Sequence, residues 1–177
     1  INTYEVTFKI GDEVIASDSI EYGAKIETPQ APEKEGHTFN GWKDVPETMP
    51  AKDVVIVGSY SVNKYLLTFK IGDEVLSVDS VEYGAKIETP VAPEKEGHTF
   101  SGWKDVPDTM PANDVVANGS YCVNIYKVYY YVGDELVHTE EVAFGEQIPT
   151  YEYTPTNGDK FIGWDGEQYD TMPSHDV

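Results

Sequence analysis

Histidine, cysteine and paired acids are the side chains in this chain whose types and spacing invite chemistry. His37 and His98 fill the same place in two identical runs, Glu33–Phe39 and Glu94–Phe100, and Asp159 stands where a third would be. A metal centre needs several converging donors, and neither histidine belongs to a multi-ligand cluster, so each reads as a hydrogen bonder at a strand edge. The Gly-Asp-Glu turns at Asp12-Glu13, Asp73-Glu74 and Asp134-Glu135 could offer carboxylates to calcium. They lack the alternating Asp/Asn ladder and distal Glu that enclose the ion in an EF-hand loop. Cys122, the single cysteine, has Ser61 as its counterpart and no positioned base beside it, which makes it a connector residue and not a nucleophile. No nucleophile elbow, phosphate-binding loop or paired-cysteine motif occurs. Met49, Met110 and Met172 fit lids over small cores better than ligands of a cofactor. These residues imply no catalytic group, no metal site and no cofactor, and hence no enzyme.

Tyrosine placement is the one asymmetric feature. Of the 13 tyrosines, Tyr126, Tyr129, Tyr130, Tyr131, Tyr151, Tyr153 and Tyr169 fall in the last third of the chain. Tyr129 and Tyr131 replace Thr68 and Lys70, positions whose alternation faces outward. Tyrosine pairs a flat apolar face with a polar tip, suited to stacking on a sugar ring or anchoring a protein contact. Tyr129, Tyr131, Tyr151 and Tyr153 are therefore the candidate contact residues for a glycan or protein. The plainer alternative is that the rings strengthen a β surface or cover a neighbouring unit.

The elements that must position these residues are repeated. Tyr4–Val14 recurs as Tyr65–Val75 and more loosely as Tyr126–Leu136, and Trp42, Trp103 and Trp164 recur every 61 residues, the difference between successive numbers. Such a period marks a tandem array and favours building, spacing or binding over catalysis. The units read as 1–63, 64–124 and 125–177. In each, Tyr4, Val6, Phe8 and Ile10 or their copies alternate with polar residues as a strand does, and Gly11-Asp12 reads as a tight turn into a second strand running to about Tyr22. The polar middle of that strand, Ser17-Asp18-Ser19, suggests a bulge or an edge position. Pro29, Pro32 and Gly36 forbid a long helix in the following loop. Phe39 and Trp42 lie three apart and so face opposite sides unless Gly41 bends the third strand. Val54–Tyr60 closes the unit. Phe39, Trp42, Tyr22 and their copies are the expected core. The third unit stops at Val177 where Val54–Tyr60 and Val115–Tyr121 would be matched, and the chain opens at Ile1, so it reads as a piece of a longer protein whose third unit lacks its closing strand.

Between units, Ser61–Lys64 and Cys122–Ile125 contain neither Gly nor Pro, which predicts closely coupled neighbours and an elongated, semi-rigid rod. Twelve Lys and Arg against 32 Asp and Glu give a net charge of −20, a field that repels phosphate backbones and anionic headgroups. Nucleic-acid binding is excluded on that ground, and no apolar run approaches the length of a membrane-inserted span.

The strand Y-x-V-x-F-x-I, Glu21-Tyr22-Gly23, the P-x-x-x-G run from Pro32 to Gly36, and Phe39-Asn40-Gly41-Trp42 resemble the Listeria–Bacteroides surface repeat family. The resemblance implies a mostly β module, α+β at most, β-grasp-like and poor in helix. It implies tandem copies in bacterial cell-surface or secreted proteins, with neighbouring repeats of the parent chain and surface proteins or glycans as partners. The expected role is a non-catalytic stalk or spacer in adhesion, with a recognition module on the Tyr-rich third unit as the alternative. The third unit departs from the pattern: Pro93–Gly97 becomes Thr154-Pro155-Thr156-Asn157-Gly158, which leaves its loop conformation open.

Overall fold

A computed structural model describes residues 2–166 and 168–177. Strand patterning dominates it, with no helix among the described residues. In the first repeat β1 (Thr3–Ile10) and β2 (Glu13–Glu21) are joined by the two-residue turn Gly11-Asp12. They are followed by β3 (His37–Lys43) and β4 (Val54–Val62). The second repeat copies this with β5 (Lys64–Ile71), β6 (Glu74–Glu82), β7 (His98–Lys104) and β8 (Val115–Val123), and the third supplies β9 (Ile125–Val132) and β10 (Glu135–Ala143).

Each of the first two repeats is a four-stranded mixed sheet, in the orders β2-β1-β4-β3 and β6-β5-β8-β7. The hairpin β1-β2 is antiparallel, whereas β1 and β4 run parallel in the centre, from Val6 opposite Val54 to Ile10 opposite Gly58. A parallel neighbour needs a crossover, and the proline-punctuated segments around β3 provide it without a helix. The crossover is clamped by backbone hydrogen bonds around a methionine: Met49 N–H donates to Ala24 O at 2.8 Å, and Gly23 N–H donates to Met49 O at 2.9 Å. Met110 and Met172 repeat the clamp in the other units. All three methionines are 1% exposed, so the lid reading holds.

The polar middle of β2 is an edge strand with unbroken register through Ser17–Ser19; the bulge sits one turn earlier, between Phe8 and Lys9, where Ile15 is the extra residue. Gly41 (φ 96°) bends β3 as expected, and the register shift it marks brings Phe39 and Trp42 to 5.2 Å, edge to face. The expected core is corrected in one respect. The buried hydrophobic residues of the first repeat are Val6, Phe8, Ile26, Met49 and Ile56; Phe39 and Trp42 are half-buried, and Tyr22 is 61% exposed. A sheet covered on one side by a loop buries only the residues under the Met49 clamp. The Trp ring lies at the margin, held by its Nε1–H donating to Pro29 O at 2.8 Å and by Phe8 at 5.0 Å.

In the third repeat β9 and β10 form a two-stranded sheet. Only the first rung of a closing strand is in place: Val177 N–H donates to Lys127 O at 2.9 Å and Val177 O accepts from Tyr129 N–H at 2.7 Å. The segment Lys160–Trp164, counterpart of β3, is not a strand. The reason is topological, since β3 pairs with β4 alone and no counterpart of β4 is among the described strands of the third repeat. The chain divides into two compact units, Ile1–Phe69 with Val75–Glu88 and Asp105–Ala117, and Lys70–Glu74 with Thr89–Lys104 and Asn118–Val177. The division passes through the second repeat, so each junction between repeats falls inside one unit.

Two outcomes are expected. In urea melts of the full chain Met49→Ala costs about 2–5 kcal/mol, as core methionines do, while Tyr22→Ala stays within about 0.5 kcal/mol; equal losses would return Tyr22 to the core. In native-state hydrogen exchange the amides of β9 and β10 exchange faster than those of β1 and β2, because a two-stranded sheet is marginal by itself. Equal protection would show that the closing strand is dispensable.

Candidate functional site: the junctions between repeats

One residue, Asn63, separates β4 from β5, and Asn124 separates β8 from β9. A linker this short transmits the direction of one strand into the next, and the asparagine locks it with three hydrogen bonds. Asn63 N–H donates to Gly36 O at 2.8 Å, its own carbonyl accepts from Tyr83 N–H at 2.9 Å, and its side-chain Oδ1 accepts from the Thr38 hydroxyl at 2.6 Å. Asn124 makes the same three bonds, to Gly97, Phe144 and Thr99, at 2.8, 2.9 and 2.6 Å. One residue, through its backbone and its side chain, thus ties the loop and third strand of one repeat to the end of the second strand of the next.

A ring closes each joint. Tyr83 packs against Gly36, and Phe144 against Gly97; a Cβ on either glycine would come within 2.1 Å of the facing ring. Both glycines are buried and left-handed, with φ of 66° and 65°, so close approach and backbone conformation both demand glycine. His37 follows Gly36 and sets its imidazole edge-on to Tyr83 at 5.9 Å and to Tyr60 at 6.4 Å, while its Nδ1–H donates to Glu35 O at 2.7 Å. His98 repeats this with Phe144, Tyr121 and Glu96 O. The strand-edge role expected of the histidines is thus met, with a second role as a wedge between two aromatic rings. Tyr60 and Tyr121 donate their hydroxyls to Pro32 O and Pro93 O, and Lys34 and Lys95 sit 5.6 Å over the same rings. The second junction has one added tie, the Ser174 hydroxyl donating to Glu96 Oε1 at 3.0 Å.

The four candidate tyrosines do not form one site. Tyr151 stacks on His138 at 4.1 Å and 11° and meets Tyr130 at 5.3 Å and Trp164 at 5.9 Å, and Tyr153 meets Phe161 at 5.7 Å. Tyr129 and Tyr131 alternate with Tyr130 along β9 and face away from that cluster; Tyr131 is 54% exposed. Burial, and secondarily the charge of Glu140, raise the pKa of Tyr130 above that of an ordinary phenol. The third repeat's loop carries no histidine wedge. Asn157 and Asp159 hydrogen-bond to each other there, and Gly158 is exposed with open space where the first two sockets hold a ring. Among the described residues no group of three or more His, Cys, Asp or Glu could hold a metal ion.

Sequence reasoning missed the asparagine, although the same residue stands third in both connectors and again at Asn2. It also missed Asp53, Asp114 and Asp176, whose Oδ1 atoms accept from the backbone N–H of Glu5, Leu66 and Lys127, each at 2.8 Å. Their signal was an aspartate directly before each closing strand.

The model of the Listeria-Bacteroides repeat domain matches residues 4–54 and 65–123, more than half of the chain. The chain belongs to this family. The match falls within the two four-stranded repeats, and the third is tied to the family through its likeness to them. Among curated relatives, a protein of Evansella cellulosilytica named as a membrane protein is 31% identical over 95% of this chain and 29% of its own length. Internalin H of Listeria monocytogenes is 40% identical over 49% of this chain and 18% of its own length. The chain thus spans under a third of the relatives it matches. A solved structure of streptococcal high identity repeats in tandem, domains 3-4 from a cell surface protein, aligns with 67% of this chain and 97% of that one at 18% identity and a TM-score of 0.33.

Gly36→Ala is expected to open the first junction. The left-handed backbone alone costs about 1–2 kcal/mol for a residue with a Cβ, and the Tyr83 ring must also move. Hydrogen exchange should show the Asn63 and Tyr83 amides losing protection while those of β9 keep theirs; unchanged protection at Asn63 and Tyr83 would mean that the ring contact does not hold the joint.

Proposed function

We propose that this chain is a non-catalytic segment of a bacterial cell-surface or secreted protein and that it acts as a semi-rigid stalk or spacer. The observation that carries the proposal is the one-residue linker locked by three hydrogen bonds and a ring in a glycine socket, built twice from the same residue types. A binding site used once needs no such duplication, whereas a spacer depends on holding successive units at one angle. Family membership and the relatives' names, an internalin and a membrane protein, support a place at the cell envelope. The charge of −20 suits a segment that stays solvated and does not fold back on like-charged copies. The units 1–63, 64–124 and 125–177 serve in this proposal as β-grasp-like modules of the spacer. Recognition by the third repeat is the weaker reading. Its four tyrosines are split between two faces, and the rings of Tyr151 and Tyr153 are already engaged with His138, Trp164 and Phe161.

Small-angle scattering of the full chain tests the spacer. The expected radius of gyration lies well above the ~16 Å of a compact domain of this length and stays constant with salt. A value near ~16 Å would overturn the proposal.

A further inference from the structure

The corner formed by Asn2 and Tyr22 reproduces one half of both junctions. The Tyr22 N–H donates to Asn2 O at 3.0 Å, as Tyr83 does to Asn63 and Phe144 to Asn124 at 2.9 Å. Asn2 precedes Asn63 by one repeat period, and Tyr22 is the same residue type as Tyr83. The difference lies in what the ring meets. Tyr83 and Phe144 are half-buried against glycine sockets, while Tyr22 is 61% exposed. An aromatic ring held by its backbone in a docking position, but facing solvent, is an exposed contact residue of the kind that anchors interfaces.

We propose that the Asn2–Tyr22 corner is the receiving half of a further junction and that it takes another unit of this repeat type through that unit's Gly-His-Thr loop. The two existing junctions state the chemistry the partner must bring. It needs a left-handed glycine flat enough for the Tyr22 ring and a glycine carbonyl to accept from the Asn2 N–H. It also needs a threonine hydroxyl for Asn2 Oδ1 and an imidazole to set edge-on against the ring. Residues 36–38 and 97–99 have that composition, and both are occupied within this chain. The open loop at Gly158 does not match. Asp159 replaces the histidine and is bound to Asn157, and Lys160 replaces the threonine. A second copy docking through Gly158 would therefore lose the imidazole wedge and the hydroxyl donor, so the partner is a complete unit joined ahead of Asn2. The proposal rests on the spacer reading and specifies how that spacer is extended.

The test adds a copy of residues 2–62 directly ahead of Asn2, with Tyr22→Phe in the added copy so that the original Tyr22 alone reports. Both chains are nitrated with tetranitromethane and read by peptide mass spectrometry, with exposed Tyr131 as the internal standard. The expected result is a severalfold fall in Tyr22 nitration in the extended chain and unchanged nitration of Tyr131. Gly36→Ala in the added copy should restore the reaction at Tyr22, and His37→Ala, which leaves the turn intact, should restore it in part. Equal nitration of Tyr22 in both chains overturns the proposal. So does protection that survives both substitutions, or protection of the original chain that grows with its concentration, since the latter would assign the corner to the Gly158 loop of a second copy. A reactive Tyr22 with an extended scattering profile would refute this junction while leaving the spacer standing.

Discussion

The parallel pairing of the closing strand with β1 is the contact on which the rest of each repeat depends. It places Val54 and Ile56 beside Val6 and Phe8, and Ile56, Val6 and Phe8 are among the buried residues under the Met49 clamp. It also creates the edge on which β3 forms, because β3 has no other strand partner. Phe39 and Trp42 then fold over Gly58, where a Cβ would come within 2.7 Å of the Phe39 ring and 2.9 Å of the Trp42 ring. Repeat three shows the dependence from the other side. With one rung of the closing strand present, β9 and β10 form and the methionine clamp closes, yet the β3 counterpart stays without strand pairing. A parallel strand far away in sequence carries a large loop-closure cost, and the aspartate before it meets part of that cost by anchoring the strand's first residues to β1.

The same strand builds the junction. Because β4 runs on to Val62, its last residue delivers Asn63 to the Gly36 loop and to Thr38 at once. The junction is therefore held by sheet geometry and hydrogen bonding, and not by proline content. Buried backbone groups at a chain crossing must be paired, and the asparagine supplies the N–H, the carbonyl and the side-chain acceptor that complete the set. The glycine socket lets the next repeat approach the backbone closely enough for that pairing. The side chain carries only the bond from Thr38; the bonds to Gly36 and from Tyr83 belong to the linker's backbone.

Several elements were legible in the residues. Alternation located the strands, and the constant Trp interval located the repeats. The methionines were read as lids, and Gly41 as a kink, because each of these is a local property of backbone or side-chain chemistry. The core was less legible. Size and aromaticity pointed to Tyr22, but whether that ring is buried depends on whether another repeat lies against it, and the same position is half-buried in the second repeat and exposed in the first. The four tyrosines of the third repeat carried the same ambiguity, since the alternation that separates Tyr130 from Tyr129 and Tyr131 says nothing of which rings the loop will bring to meet them.

Sequence alone determined that this chain is a tandem β array of the Listeria-Bacteroides repeat family. Periodicity, turn chemistry and charge are short-range properties and survive without knowledge of what touches what. Only the tertiary structure decided which residues join the repeats. Asn63, Gly36, His37 and Tyr83 are scattered over nearly fifty positions of sequence and look respectively like a polar linker residue, a loop glycine, a lone histidine and a strand-end aromatic. They become one site because the parallel closing strand carries the asparagine back across the sheet to the loop, and that convergence is a long-range fact that no local pattern encodes.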